Sequence, residues 1–298
     1  MKLNEAIPMV DVVRNYMDEL ESNDDIKNVN KLSINGLSTS YSDLDEITSG
    51  LKQGLYVIAG SSEMRTDILQ RNIIENVSLT EKKPVLHFEF NLNQIDFTKF
   101  LLSSLGRIDF TKISKGNLED EDWSRISLTF SLLAEKMNLE FCDCAGMTTT
   151  QLTEQIQKVH ENKGLSMITI NSMHNLRLPH RTENRYNEMT EISRYLKELS
   201  KKYEVPVVVT SSVNRKLIER SDKRPLLHDL RDTGTISDDA DCIMLIYRDE
   251  VYHDDSEFSG LAEIIVSKNI FGSTGRIPLT FQKQYSRFDN YAGPYSFN

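Results

Sequence analysis

Apolar runs long enough for strands, with helical segments between several of them, constrain the fold of this chain more than any other feature. Strands that are apolar throughout are typical of a parallel sheet covered by helices on both faces. The last runs have shorter connections, which favours an antiparallel edge. The sequence therefore predicts an α/β fold. The predicted strands are Leu55–Ala59, Val85–Phe90, Met167–Ile170, Val205–Thr210, Cys242–Tyr247, Ala262–Ser267 and Ile277–Phe281.

Two segments space their apolar residues so that these residues share one face of a helix. The stronger pattern comprises Met189, Ile192, Leu196, Leu199 and Tyr203. The other lies near the N-terminus and comprises Val10, Val13, Met17 and Leu20. The polar stretch from Glu21 to Asn30 offers little apolar surface to bury, so it is typical of a linker. We expect residues 1–30 to form a helix and a linker, with the folded domain at 31–298, and the first helix to dock away from its sequence neighbours.

Composition excludes several classes of protein. No apolar run approaches the length of a membrane span, and the N-terminus lacks the pattern of a secretory signal. The cysteines are Cys142, Cys144 and Cys242, an odd number without a CxxC pair. This pattern excludes a disulfide scaffold and makes a zinc site improbable. It also favours the reducing cytosol as the compartment. With 45 acidic and 35 basic residues the net charge is −10, which argues against nonspecific coating of nucleic acid.

The segment from Gly60 to Thr66 lies between a strand and a helix, where a phosphate-binding P-loop would be. Such a loop has the pattern G-x-x-x-x-G-K-[ST]. In this chain Met64 stands where the second glycine belongs, and Arg65 replaces the lysine. Glu63 adds negative charge where phosphate charge would gather. Taken alone, this segment is more typical of an ordinary strand–helix turn.

The second half of the chain has a more specific pattern. Residues 221–241 read SDKRPLLHDLRDTGTISDDAD, and similar segments follow at 247–250 (YRDE), 262–268 (AEIIVSK), 272–275 (GSTG) and 281–288. Together with 37–45, 48–51 and 120–123, they resemble the DnaB family of replicative DNA helicases, over roughly residues 7 to 290. The resemblance implies a RecA-like core with a mostly parallel twisted sheet. It also implies that the N-terminal helix is the linker helix that packs on a neighbouring subunit of a hexameric ring, and that the family's N-terminal collar domain is missing.

The same resemblance assigns the nucleotide site position by position. It puts Arg65 at the lysine of the P-loop and Asn91 at the glutamate that polarises water. Asn171 lies at the Walker B aspartate, Ser212 at the glutamine that senses the terminal phosphate, and Ile270 at the arginine finger. Every one of these positions is substituted. The candidates that remain for nucleotide binding are Gly60, Arg65, Thr66 and Lys268.

These substitutions bear on phosphoryl transfer, which needs magnesium, oriented water and positive charge on the transition state. Asparagine brings no negative charge for magnesium and is a negligible base. The sequence thus predicts a degenerate ATPase site with no intact catalytic residue and no certain cofactor; ATP and magnesium remain possible if the site still binds. Glu89 precedes Asn91 by two residues and faces the same way on a strand, so a displaced base is a weaker alternative.

The segment from Val213 to Arg231 holds six basic and three acidic residues, against the acidic balance of the whole chain. Its ordinary interpretation is a solvated loop. The resemblance implies instead that Arg231, Asp232 and Gly234 line the central channel and bind phosphates of single-stranded DNA, with Arg215, Lys223 and Arg224 nearby. No aromatic stacking residue is evident in the segment, so we expect a salt-sensitive contact with the DNA backbone. A second basic stretch comprises Arg177, His180, Arg181 and Arg185.

The leading hypothesis is a DnaB-like protein of DNA replication that lacks ATPase activity. It would bind single-stranded DNA, a replicative helicase or another replisome protein, or both, as a loader, scaffold or modulator within a homo- or hetero-oligomeric ring. One alternative is a divergent but active 5′–3′ helicase. The other is an interaction protein that mimics a helicase subunit and does not bind DNA.

Overall fold

The computed structural model describes residues 8–10, 13–14, 17, 35–231 and 233–293. Its strands within these ranges form one sheet in the order β3-β2-β4-β5-β1-β6-β7-β8-β9. They are β1 (Gly54–Gly60), β2 (Val85–Glu89), β3 (Leu139–Asp143), β4 (Met167–Asn171), β5 (Pro206–Ser212), β6 (Cys242–Tyr247), β7 (Leu261–Asn269), β8 (Gly275–Gln282) and β9 (Arg287–Asn290).

The sheet is parallel from β3 to β6 and antiparallel from β6 to β9. Each predicted strand is present within two residues at either end, and the predicted antiparallel edge is confirmed. The sequence analysis missed β3 and β9. Charged residues interrupt both strands, and each pairs with a neighbour on one side only, so neither has the apolar signal of a central strand.

Helices cover both faces of the sheet. The α-helices are α1 (Ser42–Thr48), α2 (Thr66–Glu75), α3 (Gln94–Gly106), α4 (Phe110–Lys115), α5 (Asp120–Lys136), α6 (Thr149–Lys163), α7 (Arg185–Tyr203) and α8 (Thr233–Asp239). The predicted helix with the strongest periodicity is α7. Its start is capped by the Asn184 side chain, which accepts from the backbone N–H of Asn187 at 2.9 Å.

Alternate residues of the central strand enter two different apolar layers. Leu55, Val57 and Ala59 face α6 and α7, whereas Tyr56 and Ile58 face α2. All five are fully buried. Because both faces are covered, the strands are apolar throughout, which is why the sequence pattern indicated a parallel sheet. This packing leaves polar chemistry to the loops at the carboxyl ends of the strands.

The N-terminal residues that the structure describes are helical at Met9, Val10, Val13 and Met17, in agreement with the predicted first helix. Their apolar side chains are half or more exposed. Leu20 and the predicted linker at 21–30 lie outside the described residues, so the division into 1–30 and 31–298 stays a prediction. In the described ranges no helix is long and apolar enough to cross a membrane. The cysteines are free thiols.

Replacing one buried leucine of α7 tests this packing. Leu196→Ala should lower the free energy of unfolding by about 2–5 kcal/mol, because Leu196 is fully buried and its truncation leaves a cavity. The matched control is Leu128→Ala on α5, where the side chain is 73% exposed. The control should change stability by less than about 0.5 kcal/mol. Urea denaturation followed by circular dichroism measures both, and equal losses would contradict the described core.

Candidate nucleotide site and nucleic-acid surface

The loop between β1 and α2 closes on itself. Residues Ser62–Met64 form a 3₁₀ turn, in which Met64 N donates to Ser61 O at 3.0 Å and Arg65 N donates to Ser62 O at 3.4 Å. A P-loop binds phosphate through backbone N–H groups that are open to the ligand. In this loop two such groups are used internally. Met64, at the position of the second glycine, is only 1% exposed, so a side chain fills the space that a glycine would leave.

Arg65, at the lysine position, is bound by a neighbouring carboxylate. Its Nε and Nη2 donate to the two carboxylate oxygens of Asp67 at 3.0 and 2.9 Å. Arg71 donates to the same carboxylate at 3.1 Å, and its guanidinium lies 4.3 Å from the centre of the Phe100 ring. Burial alone would raise the pKa of the Asp67 carboxyl, but the hydrogen bonds and charges of the two arginines outweigh burial and lower it. The cation expected to meet phosphate is thus already paired.

Arg248 also contacts the loop, and the sequence analysis did not place it in the site. Its Nη1 donates to Glu63 O at 2.9 Å and its backbone N–H meets the sulfur of Met64 at 3.2 Å. The guanidinium stacks 3.8 Å from the centre of the Phe281 ring and pairs with Glu250. Arg248 is far from the loop in sequence, so no sequence motif could reveal this contact. The only indication was its place in the 247–250 segment.

At the carboxyl edge of the sheet, the two substituted positions Asn91 and Asn171 do come together. Asn91 Nδ2 donates to Asn171 O at 3.4 Å, and Asn171 Nδ2 donates to both carboxylate oxygens of Glu89 at 2.9 and 3.0 Å. The remaining side-chain oxygens accept as well: Asn171 Oδ1 from Thr210 Oγ1 at 2.7 Å, and Asn91 Oδ1 from Asn175 Nδ2 at 2.8 Å. The amides satisfy one another and their neighbours.

Glu89, the alternative base, lies inside this network and is 1% exposed. Its carboxylate also accepts from the backbone N–H of Asn91 at 2.9 Å and contacts His87 Nε2 at 3.3 Å. Burial would raise the pKa of this carboxyl, but the hydrogen bonds from His87, Asn171 and Asn91 outweigh burial and hold it below its usual value. A low pKa and four contacts suit a structural carboxylate better than a base that orients water.

These donors do not fit a magnesium–triphosphate group. Asn91 and Asn171 stand where the family resemblance predicts carboxylates, and their oxygens accept hydrogen bonds from protein groups. In the described part of the chain, no group of three or more His, Cys, Asp or Glu side chains is arranged to hold a metal ion. Thr66, which keeps its family identity, begins α2 directly after Arg65.

Ser212 and Gly60 are paired across β5 and β1, so Ser212, the position predicted to sense the terminal phosphate, lies beside the loop. The backbone N–H of Val213 donates to Gly60 O at 3.3 Å, and that of Arg231 donates to Ser212 O at 2.9 Å. The two ends of the basic segment 213–231 are thus held beside the loop. His174, which follows β4, adds a contact between its Nε2 and Ser211 Oγ at 2.9 Å.

Lys268 and Ile270 lie elsewhere. Lys268 pairs with Ile243 near the start of β6, at the sheet edge opposite the loop. Its ammonium donates to Ser237 O at 2.7 Å and Asp238 O at 3.1 Å, so it binds the last carbonyls of α8. Ile270 is 61% exposed just beyond β7. Within one chain, Lys268 is therefore separate from Gly60, Arg65 and Thr66.

A cavity of about 820 Å³ joins the loop to the basic segment. Its lining includes Ser61, Ser62 and Glu63 from the loop, and Arg215 and Arg231 from the segment. Hydrogen bonds from its own backbone N–H and from Ser62 lower the pKa of the Glu63 carboxyl, so Glu63 is ionised at neutral pH. One wall of the cavity is therefore basic and the other acidic.

The predicted DNA-binding residues fall into two groups. Arg224 is bound to the Glu263 carboxylate through Nε at 2.9 Å and Nη2 at 2.6 Å, and it stacks on Tyr247. Lys223 donates to Arg220 O at 3.2 Å. The second group comprises Arg215, Arg231 and Gly234, which are exposed residues. Asp232 lies outside the described residues.

Comparison with known proteins agrees with this fold. Residues 36–290 match the family described as the DnaB-like helicase C terminal domain. The chain belongs to the DnaB helicase family. The chain is 42% identical to the replicative DNA helicase DnaB of Buchnera aphidicola (subspecies Schizaphis graminum) over 263 residues, which are 88% of this chain and 57% of that protein. It is 44% identical to DnaB of Pasteurella multocida over 262 residues, 87% of this chain and 56% of that protein.

Solved structures of related proteins confirm the RecA-like fold. One, described as an ATPase domain, superimposes with a TM-score of 0.88 at 26% identity, covering 97% of this chain and all of that one. A DnaB-like replicative helicase, solved in a study of its interactions with primase, gives a TM-score of 0.82 at 26% identity, covering 97% of this chain and 68% of that one. The chain spans somewhat more than half the length of its curated DnaB relatives.

The Glu89 network predicts a pH-dependent effect on stability. Glu89→Gln should cost about 1–3 kcal/mol at pH 7, because an amide N–H₂ would then face the N–H₂ of Asn171. The lowered pKa of Glu89 adds stability that is fully present above the usual glutamate value of about 4.3 and is lost as pH falls through the folded value. The difference in the free energy of unfolding between the unaltered protein and Glu89→Gln should therefore shrink below about pH 4.

Urea denaturation at pH 7 and at acid pH measures this difference. Glu154→Gln, an exposed carboxylate on α6, is the control and should change stability by less than about 0.5 kcal/mol at either pH. A cost for Glu89→Gln that stayed constant through the acid range would contradict the proposed network.

Proposed function

We propose that this DnaB-family chain acts in DNA replication without hydrolysing ATP, and that it binds single-stranded DNA, a replicative helicase, or both, as a loader, scaffold or modulator. The observation that carries this proposal is the pairing of Arg65 with Asp67, beside a loop filled by Met64. A triphosphate would have to displace an internal carboxylate from the only basic residue between Gly60 and Thr66.

Several independent losses support the same conclusion. Phosphoryl transfer depends on magnesium that neutralises developing charge and on a side chain that orients the nucleophile. Asn171 and Asn91 bring neutral amides to these two positions. Ile270 brings no positive charge to a neighbour's site, where an arginine finger contributes roughly a thousandfold or more in rate. A site without the magnesium ligand, the side chain that orients water and the arginine finger has no other group to stabilise the transition state of hydrolysis.

We expect the purified protein to show no magnesium-dependent ATP turnover above a no-protein background, with or without single-stranded DNA. Arg65→Ala should leave that background unchanged, because Arg65 is bound to Asp67. A coupled phosphate-release assay measures the rate. DNA-stimulated turnover that Arg65→Ala abolishes would contradict the proposal and favour the active 5′–3′ helicase.

The basic segment supports the DNA-binding part of the proposal. Arg215 and Arg231 both line the cavity, so the two ends of the segment present guanidinium groups to one space. Guanidinium groups pair well with phosphate oxygens, and the exposed Gly234 lets a backbone approach closely. Arg224 contributes indirectly on this proposal: its bond to Glu263 supports the segment from beneath.

Arg231→Ala should weaken binding of single-stranded DNA and reduce the magnitude of the salt slope by about 0.7, the value for one lost phosphate contact on a single strand. Arg276→Ala is the matched control, because Arg276 is exposed on β8, away from the segment. It should leave both affinity and slope unchanged. Fluorescence anisotropy over a salt series provides the measurement. Equal effects of the two substitutions would count against this surface, and unchanged partner binding without DNA affinity would favour the interaction protein.

The apolar face of the N-terminal helix supports a protein partner. Met9 and Val10 are 70% and 62% exposed, and Val13 and Met17 about half exposed. Exposed apolar faces of this kind mark interaction surfaces. On our proposal this face packs on a neighbouring subunit of a homo- or hetero-oligomeric ring. Particle mass, measured by light scattering with and without single-stranded DNA and with a DnaB helicase added, tests it; a monomer under every condition would contradict ring assembly.

A further inference from the structure

A tyrosine lies beside the predicted DNA loop although the loop itself contains no aromatic residue. Tyr186 is in the first turn of α7, and its side chain is 51% exposed. A Cβ atom added to Gly234 would lie 2.8 Å from the Tyr186 hydroxyl and 3.8 Å from the nearest ring carbons. Gly234 is three residues beyond Arg231 in sequence. The fold therefore places an aromatic ring next to the residues proposed to hold the DNA backbone.

The backbone that carries the ring is anchored in the fold. The Asn184 cap sets the start of α7, and Thr190 Oγ1 donates to Tyr186 O at 2.9 Å in the same turn of helix. The Thr190 hydroxyl also contacts Thr235 Oγ1 at 3.3 Å, which joins α7 to α8. A tyrosine on an anchored turn of helix has only its two side-chain dihedral angles left to order when it meets a ligand. Half of its surface nevertheless remains uncovered.

Charge around the ring suits a polyanion. The stretch that leads into α7 holds the exposed Arg177, His180 and Arg181, and Arg185 directly precedes the tyrosine. His180 pairs with Glu191 and Arg185 with Glu188. Arg181, and Arg177 at 4.0 Å from Glu188, therefore carry most of the charge that this stretch offers to a phosphate. On the other side lies the basic segment that ends at Arg231. Proteins that bind single-stranded nucleic acid combine a basic path for the backbone with aromatic rings on which bases stack. The position of Tyr186 beside Gly234 brings both features to one place.

We propose that Tyr186 is a stacking surface for an unpaired base of single-stranded nucleic acid whose backbone lies along the two basic stretches. This inference rests on the proposed DNA binding and adds a base contact to what would otherwise be a purely ionic one. Because every base has an aromatic face, the contact tolerates different sequences. It requires a base, however, and not only a phosphate.

The test compares two strands of equal length and phosphate number, one of thymidylate and one of abasic units, at low salt by fluorescence anisotropy. Tyr186→Ala should weaken thymidylate binding about 5-fold or more and leave abasic binding unchanged, since stacking of one base contributes at least that much. Tyr186→Phe keeps the ring and should bind both strands as the unaltered chain does. Phe258→Ala, which removes another exposed aromatic side chain far along the sequence, is the control and should change neither.

The outcomes distinguish the stacking role of Tyr186 from the proposed DNA binding on which it rests. If Tyr186→Ala has no effect on either strand, or weakens both equally, while Arg231→Ala still lowers affinity, the stacking role is wrong and the DNA-binding proposal stands. If the unaltered chain binds neither strand, both are wrong. Thermal melting of Tyr186→Ala checks folding, and the abasic strand serves as a second check, because a general loss of structure would weaken its binding as well.

Discussion

The carboxylate of Asp67 is shared by two arginines, and the character of the loop depends on this arrangement. Arg71 is buried to 2% exposure, and burial lowers its pKa, so its guanidinium needs a carboxylate to offset the loss of water. Asp67 provides it and also binds Arg65. The same carboxylate lies in the first turn of α2, where the helix dipole favours negative charge. A protein group thus occupies the electrostatic position that a bound phosphate would otherwise take.

The neighbouring elements are also joined by hydrogen bonds within the protein. Glu63 O accepts from Arg248, and Arg248 stacks on Phe281 of β8, so the loop is tied to the antiparallel part of the sheet. At the carboxyl edge, Asn171 Nδ2 donates to Glu89, and Asn171 Oδ1 accepts from Thr210 Oγ1. Buried networks in which each polar atom has a partner are rigid and costly to open. A magnesium ion or a triphosphate entering here would have to break hydrogen bonds already formed with good geometry.

The fold was largely predictable from the sequence. For the site, the sequence predicted which residues lie there but not which groups they bind. Strand β1 and helix α7 have long apolar patterns with one dominant period, and both were found with small errors at the ends. The edge strand β3 was missed because half-exposed residues give no such pattern. The resemblance to DnaB proteins identified Asn91 and Asn171 at the sheet edge, and the structure joins them. It contained no information on what these residues bind instead, because partners such as Thr210 and Arg248 are brought near only by the folded sheet.

Family membership and activity are carried by different parts of this molecule. The apolar layers form the core on the two faces of the sheet, and the chain superimposes closely on the solved ATPase domain and helicase. Substitutions at Arg65, Asn91 and Asn171 leave those layers intact, because each lies in a loop or at a strand end. On our proposal, this RecA-like domain has lost its nucleotide chemistry and kept its fold, since function resides in sites carried by the fold. The exposed residues Arg215 and Arg231 depend on the same sheet for their position, yet not on a nucleotide, so the proposed DNA-binding surface does not require the nucleotide chemistry that we propose is lost.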